Sequence, residues 1–247
     1  MKKLLRPHTL PAVTAGLGGI ALVLRRMLYL FAVDEKGLLV SAHPLSIALT
    51  VLTVAALGYI FFNVRNLDGS NDFSDNFHAG TPAAAGHVLA ASGMAATVLW
   101  NHPAMSGYLG TAWTILGYAA PVCLLLAGFA RMGGRKPFFL LYLVPSLFLL
   151  IHIIDHYQLW CGNPQIQDYL FTLFGTIALT LFAFYNATFC AEMGNRRMQM
   201  GMGLAAAYLC MAELALSQQP YLYLGGIVWA LTNLCCPYPQ PKKAEEA

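Results

Sequence analysis

One stretch near the middle of the chain places two histidines and an aspartate where they could act together. His152, Asp155 and His156 are spaced three and four residues apart, so a helix would carry all three side chains on one face. Two histidines at i and i+4 can chelate one transition metal, and the carboxylate can be a third ligand or orient an imidazole. The pattern predicts either a zinc-type metal site, a polar pocket, or simple residues of the membrane interface.

Other ionisable residues fall inside or at the ends of long apolar stretches. Arg25 and Arg26 lie in the first stretch, Asp168 begins the sixth, and Glu213 is near the end of the seventh. Charge inside a bilayer is costly and usually marks a site where the charged group has a partner. We therefore expect one outward-facing polar pocket, in which Arg25 or Arg26 pairs with Asp155 or Glu213.

The remaining candidate for chemistry is His87, which stands alone among alanines and glycines. We predict that it is a hydrogen-bonded core histidine. The sequence contains no Gly-x-Ser-x-Gly elbow, Walker A loop or dinucleotide fingerprint. Without these motifs, the sequence does not indicate a nucleotide-driven protein. It also contains no run of five like charges, so it does not indicate a nucleic-acid partner.

The elements that position these residues are apolar helices. The chain has 247 residues, of which 58% are hydrophobic and 10% charged, a composition that excludes a soluble globular protein. Stretches long enough to approach a bilayer crossing predict an all-α, polytopic integral membrane bundle that forms a single transmembrane domain over residues 1–247. The eight stretches are 11–32, 44–63, 82–100, 110–130, 138–159, 168–190, 200–217 and 221–236. The last two are short, and a bundle of seven helices is the alternative.

The distribution of positive charge predicts the orientation of this bundle. Cytoplasmic loops are enriched in lysine and arginine. With eight crossings and both termini inside, eleven of the fourteen cations fall on the cytoplasmic side. They are Lys2, Lys3, Arg6, Arg65, Arg131, Arg135, Lys136, Arg196, Arg197, Lys242 and Lys243. We therefore predict cytoplasmic N- and C-termini in a cell membrane protein.

Aromatic and small residues predict how the helices sit in the bilayer and against each other. Seven aromatic residues near the predicted outer helix ends are typical of interface anchors: Trp100, Trp113, Tyr157, Trp160, Tyr169, Tyr221 and Tyr223. Small residues recur four apart in the first, third and seventh stretches, which favours close packing of those helices inside the bundle.

Three functions agree with these observations. The leading hypothesis is a small-molecule or ion permease, or a substrate-binding membrane component, which uses the outward polar pocket and is not an enzyme. The second is a membrane-embedded metal-dependent hydrolase centred on His152, Asp155 and His156. The third is a non-catalytic sensor or partner subunit. The expected partners are the lipid bilayer and other membrane subunits.

Overall fold

The computed structural model describes residues 9–32, 43–65, 67, 71–77, 80–160 and 166–235. These residues form eight long helices and one short helix, Phe73–Asn76, and no strand occurs among them. The long helices are α1 (Thr9–Phe31), α2 (Pro44–Val64), α3 (Thr81–Trp100), α4 (Gly107–Met132), α5 (Leu140–Trp160), α6 (Ile166–Cys190), α7 (Arg196–Leu214) and α8 (Pro220–Cys235). The all-helical prediction is confirmed, and each helix ends within four residues of its predicted bound.

Local signals explain where several helices begin. Pro44 and Pro82 occupy the first turns of α2 and α3, where a missing N–H costs no hydrogen bond. The Nδ1 atom of His43 accepts the N–H of Leu45 at 3.3 Å. At the start of α7, the side chain of Asn195 accepts a backbone N–H in the same way, as is typical of helix N-caps.

Six helices, α3 to α8, form a closed ring in which each helix packs against the next and α8 returns to α3. The other two, α1 and α2, lie outside this ring and pack against α7. As a result α7 touches four helices, and 13 of its residues are buried. This position explains its composition, because a helix surrounded by protein does not need an apolar face toward lipid.

Six helices, α1 to α6, are long and apolar enough to cross a bilayer. The two others fall short for different physical reasons. Arg196, Arg197 and Gln199 stand in the first turn of α7 and lower its hydropathy. Helix α8 has 16 residues, which span roughly 24 Å at about 1.5 Å per residue, less than the hydrocarbon core of about 30 Å. Eight crossings therefore remain a prediction.

Glycines allow α3 and α8 to approach closely. A Cβ on Gly225 would lie 2.7 Å from the carbonyl oxygen of Leu89, and one on Gly93 would overlap the carbonyl of Tyr221. This close packing agrees with the prediction for the third stretch. In the first stretch, a Cβ on Gly19 of the predicted repeat would meet no atom within 4 Å, and the close contact is instead at Gly18, where a Cβ would lie 2.6 Å from Sδ of Met211 on α7.

The two ends of the bundle differ in character. At one end, the turns between α4 and α5 and between α6 and α7 lie side by side, joined by Lys136 and Glu192 at 2.6 Å. We call this the turn end. The opposite end, which carries the connection between α7 and α8, is called the pocket end below.

Two of the predicted interface anchors are instead core residues. Trp113 and Tyr223 are each 2% exposed, and both form hydrogen bonds inside the bundle. Trp100, Tyr157 and Tyr221 are exposed at the pocket end, as expected for anchors. Position near a helix end therefore did not distinguish a side chain that faces lipid from one that faces the ring.

Candidate functional site

A buried ion pair joins a peripheral helix to the central helix at the pocket end. The guanidinium of Arg25 on α1 contacts the carboxylate of Glu213 on α7, and their side chains are 5% and 6% exposed. Arg25 also donates to the carbonyl of Ala212 at 3.3 Å and lies over the ring of Phe171, 4.8 Å from its centroid. Neither charge is left unpaired, which is the arrangement that a poorly solvated pair requires.

A polar cavity of about 450 Å³ opens beside this pair. Its wall combines residues of α1, α5, α6, α7, α8 and the connection between α7 and α8. We call it the polar pocket. Besides the ion pair, its polar lining includes Arg26, Tyr29, His156, Thr172, Ser217 and Gln219. Arg26 and Tyr29 are exposed and form its rim, whereas Glu213 is 4% exposed and lies deep in the wall.

A chain of hydrogen bonds runs from the ring interior to the polar pocket. The Nε1 atom of Trp113 donates to Nδ1 of His152 at 3.4 Å, and Nε2 of His152 bonds to Oε1 of Gln219 at 2.9 Å. The Nε2 atom of Gln219 then bonds to Nε2 of His156, also at 2.9 Å. Finally, Nδ1 of His156 bonds to the carbonyl oxygen of His152 at 3.2 Å.

The two ends of this chain assign the protonation of both histidines. An indole N–H can only donate and a carbonyl oxygen can only accept. His152 therefore carries its proton on Nε2, and His156 carries its proton on Nδ1. Both rings are neutral, and all four of their nitrogens have a hydrogen-bond partner. The donors and acceptors of this hydrogen-bond chain cannot be exchanged, because exchange would put a proton on Nδ1 of His152, opposite the N–H of Trp113.

Asp155 serves the scaffold rather than the polar pocket. Its Oδ1 atom accepts the backbone N–H of Met105 at 2.9 Å, which attaches α5 to the connection between α3 and α4. Its Oδ2 atom is 4.0 Å from Nδ1 of His156. Of the pairings that the sequence left open, the described residues contain that of Arg25 with Glu213 and none of an arginine with Asp155.

The described residues include no group of three or more histidine, cysteine, aspartate or glutamate side chains that could hold a metal ion. His152 and His156 are close, with ring centroids 4.1 Å apart, but the hydrogen bonds given above occupy their nitrogens. Of the alternatives that the sequence left open, the donor arrangement therefore favours a hydrogen-bonded pair that lines a polar pocket over a metal site. The backbone of Asp168 lies in α6, and its side chain is outside the described part of the structure.

His87 is a core histidine, as the sequence predicts. It is fully buried, its Nδ1 atom lies 2.6 Å from the carbonyl oxygen of Ala83, and its Nε2 atom lies 2.8 Å from the hydroxyl of Tyr142. The first contact requires a proton on Nδ1, so Nε2 accepts from the tyrosine. Both nitrogens of the imidazole therefore have a hydrogen-bond partner inside the ring of helices.

Sequence reasoning missed Gln219 and the role of Trp113. Gln219 links the two histidines and lines the polar pocket, yet a neutral amide in a turn carries no charge that would mark it. It also missed Arg131, which was counted as a loop cation. Arg131 is 1% exposed, donates to Asn233 at 3.2 Å and lies over the ring of Phe77.

Comparison with known proteins gives no match. No family model, no curated protein and no solved structure matches the chain.

The polar pocket is the cavity in which most of the predicted site residues meet: Arg25, Arg26, His156 and Glu213 all line it.

Proposed function

We propose that this protein binds a small, negatively charged solute in the polar pocket, as a permease or as the substrate-binding component of a membrane complex. The observation that carries the proposal is the pocket itself. It is a cavity of about 450 Å³ at one end of an apolar bundle, lined by ionic and hydrogen-bonding groups from several helices. Concave sites with a few convergent polar groups are typical of ligand binding.

The charge of the lining favours an anion. Among the described residues of the lining, two carry a guanidinium group, Arg25 and Arg26, and one carries a carboxylate, Glu213, so that with neutral histidines these residues have a net charge of +1. Glu213 neutralises Arg25. Arg26 forms no ion pair with the described residues and stands at the rim, so its guanidinium is available to a carboxylate or phosphate.

The hydrogen-bond chain supports a binding site with a fixed geometry. Because Trp113 holds the direction of the chain, Gln219 presents its amide group in one orientation at the pocket wall. A side chain that cannot rotate loses little conformational entropy when a ligand binds. The positive-inside distribution of the loops further leads us to propose that the polar pocket faces outward.

Thermal unfolding of the purified protein in detergent tests the proposal. Inorganic phosphate and acetate are added separately, and choline serves as a cation of similar size. We expect the anions to raise the unfolding temperature and choline to leave it unchanged. Replacement of the rim cation by Arg26→Gln should abolish the anion effect, since it removes the guanidinium that forms no ion pair with the described part of the chain.

Arg135→Gln is the matched control. Arg135 is an exposed cation at the turn end, so its replacement lowers the net charge equally and leaves the polar pocket intact. The proposal is contradicted if both variants lose the anion effect to the same degree, or if choline stabilises the protein as well as phosphate does.

A further inference from the structure

A second cavity, of about 400 Å³, lies on the side of the bundle between α2 and α6, with α7 as its floor. Its lining is apolar, with residues such as Leu57, Ile177 and Ala205. Val54 and Phe174 form its outer walls and are 68% and 51% exposed. This apolar groove therefore opens on the surface that the bundle presents to the bilayer.

The apolar groove and the polar pocket meet at Phe171. This side chain lines the groove, and the guanidinium of Arg25, which lines the pocket, lies 4.8 Å from its ring centroid. A second link is α7, where Leu209 lines the groove and Glu213 lines the pocket. These two residues are one helical turn apart, roughly 6 Å along the axis. A charged compartment thus borders one end of an apolar one.

We propose that these two cavities together bind one monoanionic phospholipid of the surrounding bilayer. The phosphodiester lies in the polar pocket beside Arg25 and Arg26, and one acyl chain lies in the apolar groove. This inference rests on the proposed function, the binding of an anion in the polar pocket, and identifies that anion as the phosphodiester of a lipid headgroup in place of a free solute. The second acyl chain remains in the bilayer, to which the groove is open.

The dimensions and the charge of the two cavities favour this ligand. The groove follows α6 from Leu170 to Leu181, a length of roughly 16 Å at about 1.5 Å per residue. Its walls on α2 and α6 leave room for one chain. The net charge of +1 on the described residues of the pocket lining matches one negative charge. A pocket of about 450 Å³ is larger than a bare carboxylate needs and accommodates a phosphate with its alcohol.

Native mass spectrometry of the protein released from detergent micelles tests the inference. The probes are phosphatidylglycerol, phosphatidylcholine with the same acyl chains, oleate, and soluble glycerol 3-phosphate. We expect one phosphatidylglycerol per protein, bound more tightly than each other probe. Arg26→Gln removes the rim cation, and Ala178→Leu fills the groove; each should weaken this binding on the order of tenfold, as for loss of a strong polar or packing contact.

Two matched variants control for charge and volume. Arg135→Gln removes a cation at the turn end, and Ala119→Leu enlarges a half-buried alanine of α4 that does not line the groove. Both should bind phosphatidylglycerol like the parent protein. Val54→Trp narrows the same groove from its exposed wall and tests the groove independently if Ala178→Leu does not fold.

The outcomes separate the inference from the proposed function. If glycerol 3-phosphate binds as tightly as the lipid, and Ala178→Leu and Val54→Trp change nothing, the pocket takes a soluble anion and the inference is overturned while the proposed function stands. Equal binding of phosphatidylcholine, or tighter binding of oleate, also overturns it. If no anionic probe binds, both proposals fail.

Discussion

At the scale of single residues, the ion pair between Arg25 and Glu213 ties α1 to the ring. Glu213→Gln leaves the guanidinium of Arg25 buried without a counter-charge. We expect this change to destabilise the protein by about 3 kcal/mol, as is typical when one partner of a buried pair is removed. Denaturant unfolding of the purified protein, followed by circular dichroism, measures the loss.

The double variant provides the control for this prediction. Arg25→Gln combined with Glu213→Gln removes both charges, so its loss should be smaller than that of Glu213→Gln alone. If the loss of stability in the double variant equals the sum of the losses in Arg25→Gln and Glu213→Gln, the two charges do not interact. The pair then has no role in joining α1 to α7.

The direction of the histidine chain is a second prediction at this scale. In the parent protein, ¹⁵N spectra should show His152 protonated on Nε2 and His156 protonated on Nδ1. Trp113→Phe removes the N–H that holds Nδ1 of His152 as an acceptor. We expect this variant to increase the share of His152 that is protonated on Nδ1, since one of the two contacts that select the direction is lost and only the bond of His156 to the carbonyl oxygen remains.

Phe148→Leu serves as the control, because Phe148 also packs against His152 through its ring, a contact that does not select a tautomer. Its spectrum should keep the parent tautomers. A parent spectrum with the proton of His156 on Nε2 would contradict the assigned direction.

The chemistry of individual residues explains which part of the site could be predicted from the sequence. Buried charge is costly, so Arg25, Arg26 and Glu213 stood out against an apolar background, and all three line the polar pocket. Asp155 was also a charged residue in an apolar stretch, but its carboxylate accepts a backbone N–H. A carboxylate can accept from a guanidinium or from a backbone N–H, and the sequence does not show which one is near. Gln219 is neutral and stands in a polar turn, where hydropathy does not distinguish it from its neighbours.

At the scale of the elements, the contact between α3 and α8 determines where the pocket wall stands. Gly93→Ala would place a Cβ against the backbone of Tyr221, two residues from Gln219. Backbone cannot move aside as a flexible side chain can, so α8 must shift. We expect a loss of about 1–3 kcal/mol in stability, as for overpacking in a core, measured by denaturant unfolding.

The same variant should also weaken anion binding, since the shift displaces Gln219 from the histidines. Gly58→Ala is the matched control on α2, where an added Cβ would meet no atom within 4 Å. We expect it to retain both stability and binding. Equal losses in the two variants would show that the effect comes from helix flexibility and not from the contact with Tyr221.

Helix positions follow from the sequence much more directly than helix neighbours do. A bilayer demands long apolar segments, so hydropathy alone located all eight long helices to within four residues. The closed ring depends on which small residues face each other, and spacing does not reveal this. Gly93 meets α8 whereas Gly19 meets nothing within 4 Å, although both belong to sets of small residues at helical spacing.

At the scale of the whole molecule, the closed ring constrains the topology. Helix α8 packs antiparallel to α3, with Tyr221 beside Gly93 and Trp229 beside Gly86. The ring therefore closes only if α8 returns toward the end where α3 begins. This supports a full crossing by α7 and α8 despite their low hydropathy and short length, and it disfavours a re-entrant bend between them.

Cysteine labelling in right-side-out vesicles tests this topology. Arg135→Cys places a thiol at the turn end and Ser217→Cys places one at the pocket end, and the parent protein controls for its own cysteines. A membrane-impermeant maleimide added outside should label Ser217→Cys, and it should label Arg135→Cys only after the vesicles are opened, because the positive-inside distribution predicts a cytoplasmic turn end. Labelling of both positions from the same side would mean that the chain does not cross the bilayer an odd number of times between them, and the closed ring would then have to be abandoned as a membrane-spanning unit. If Arg135→Cys were labelled from outside and Ser217→Cys only after the vesicles are opened, the closed ring would still span the membrane, but the polar pocket would face the cytoplasm.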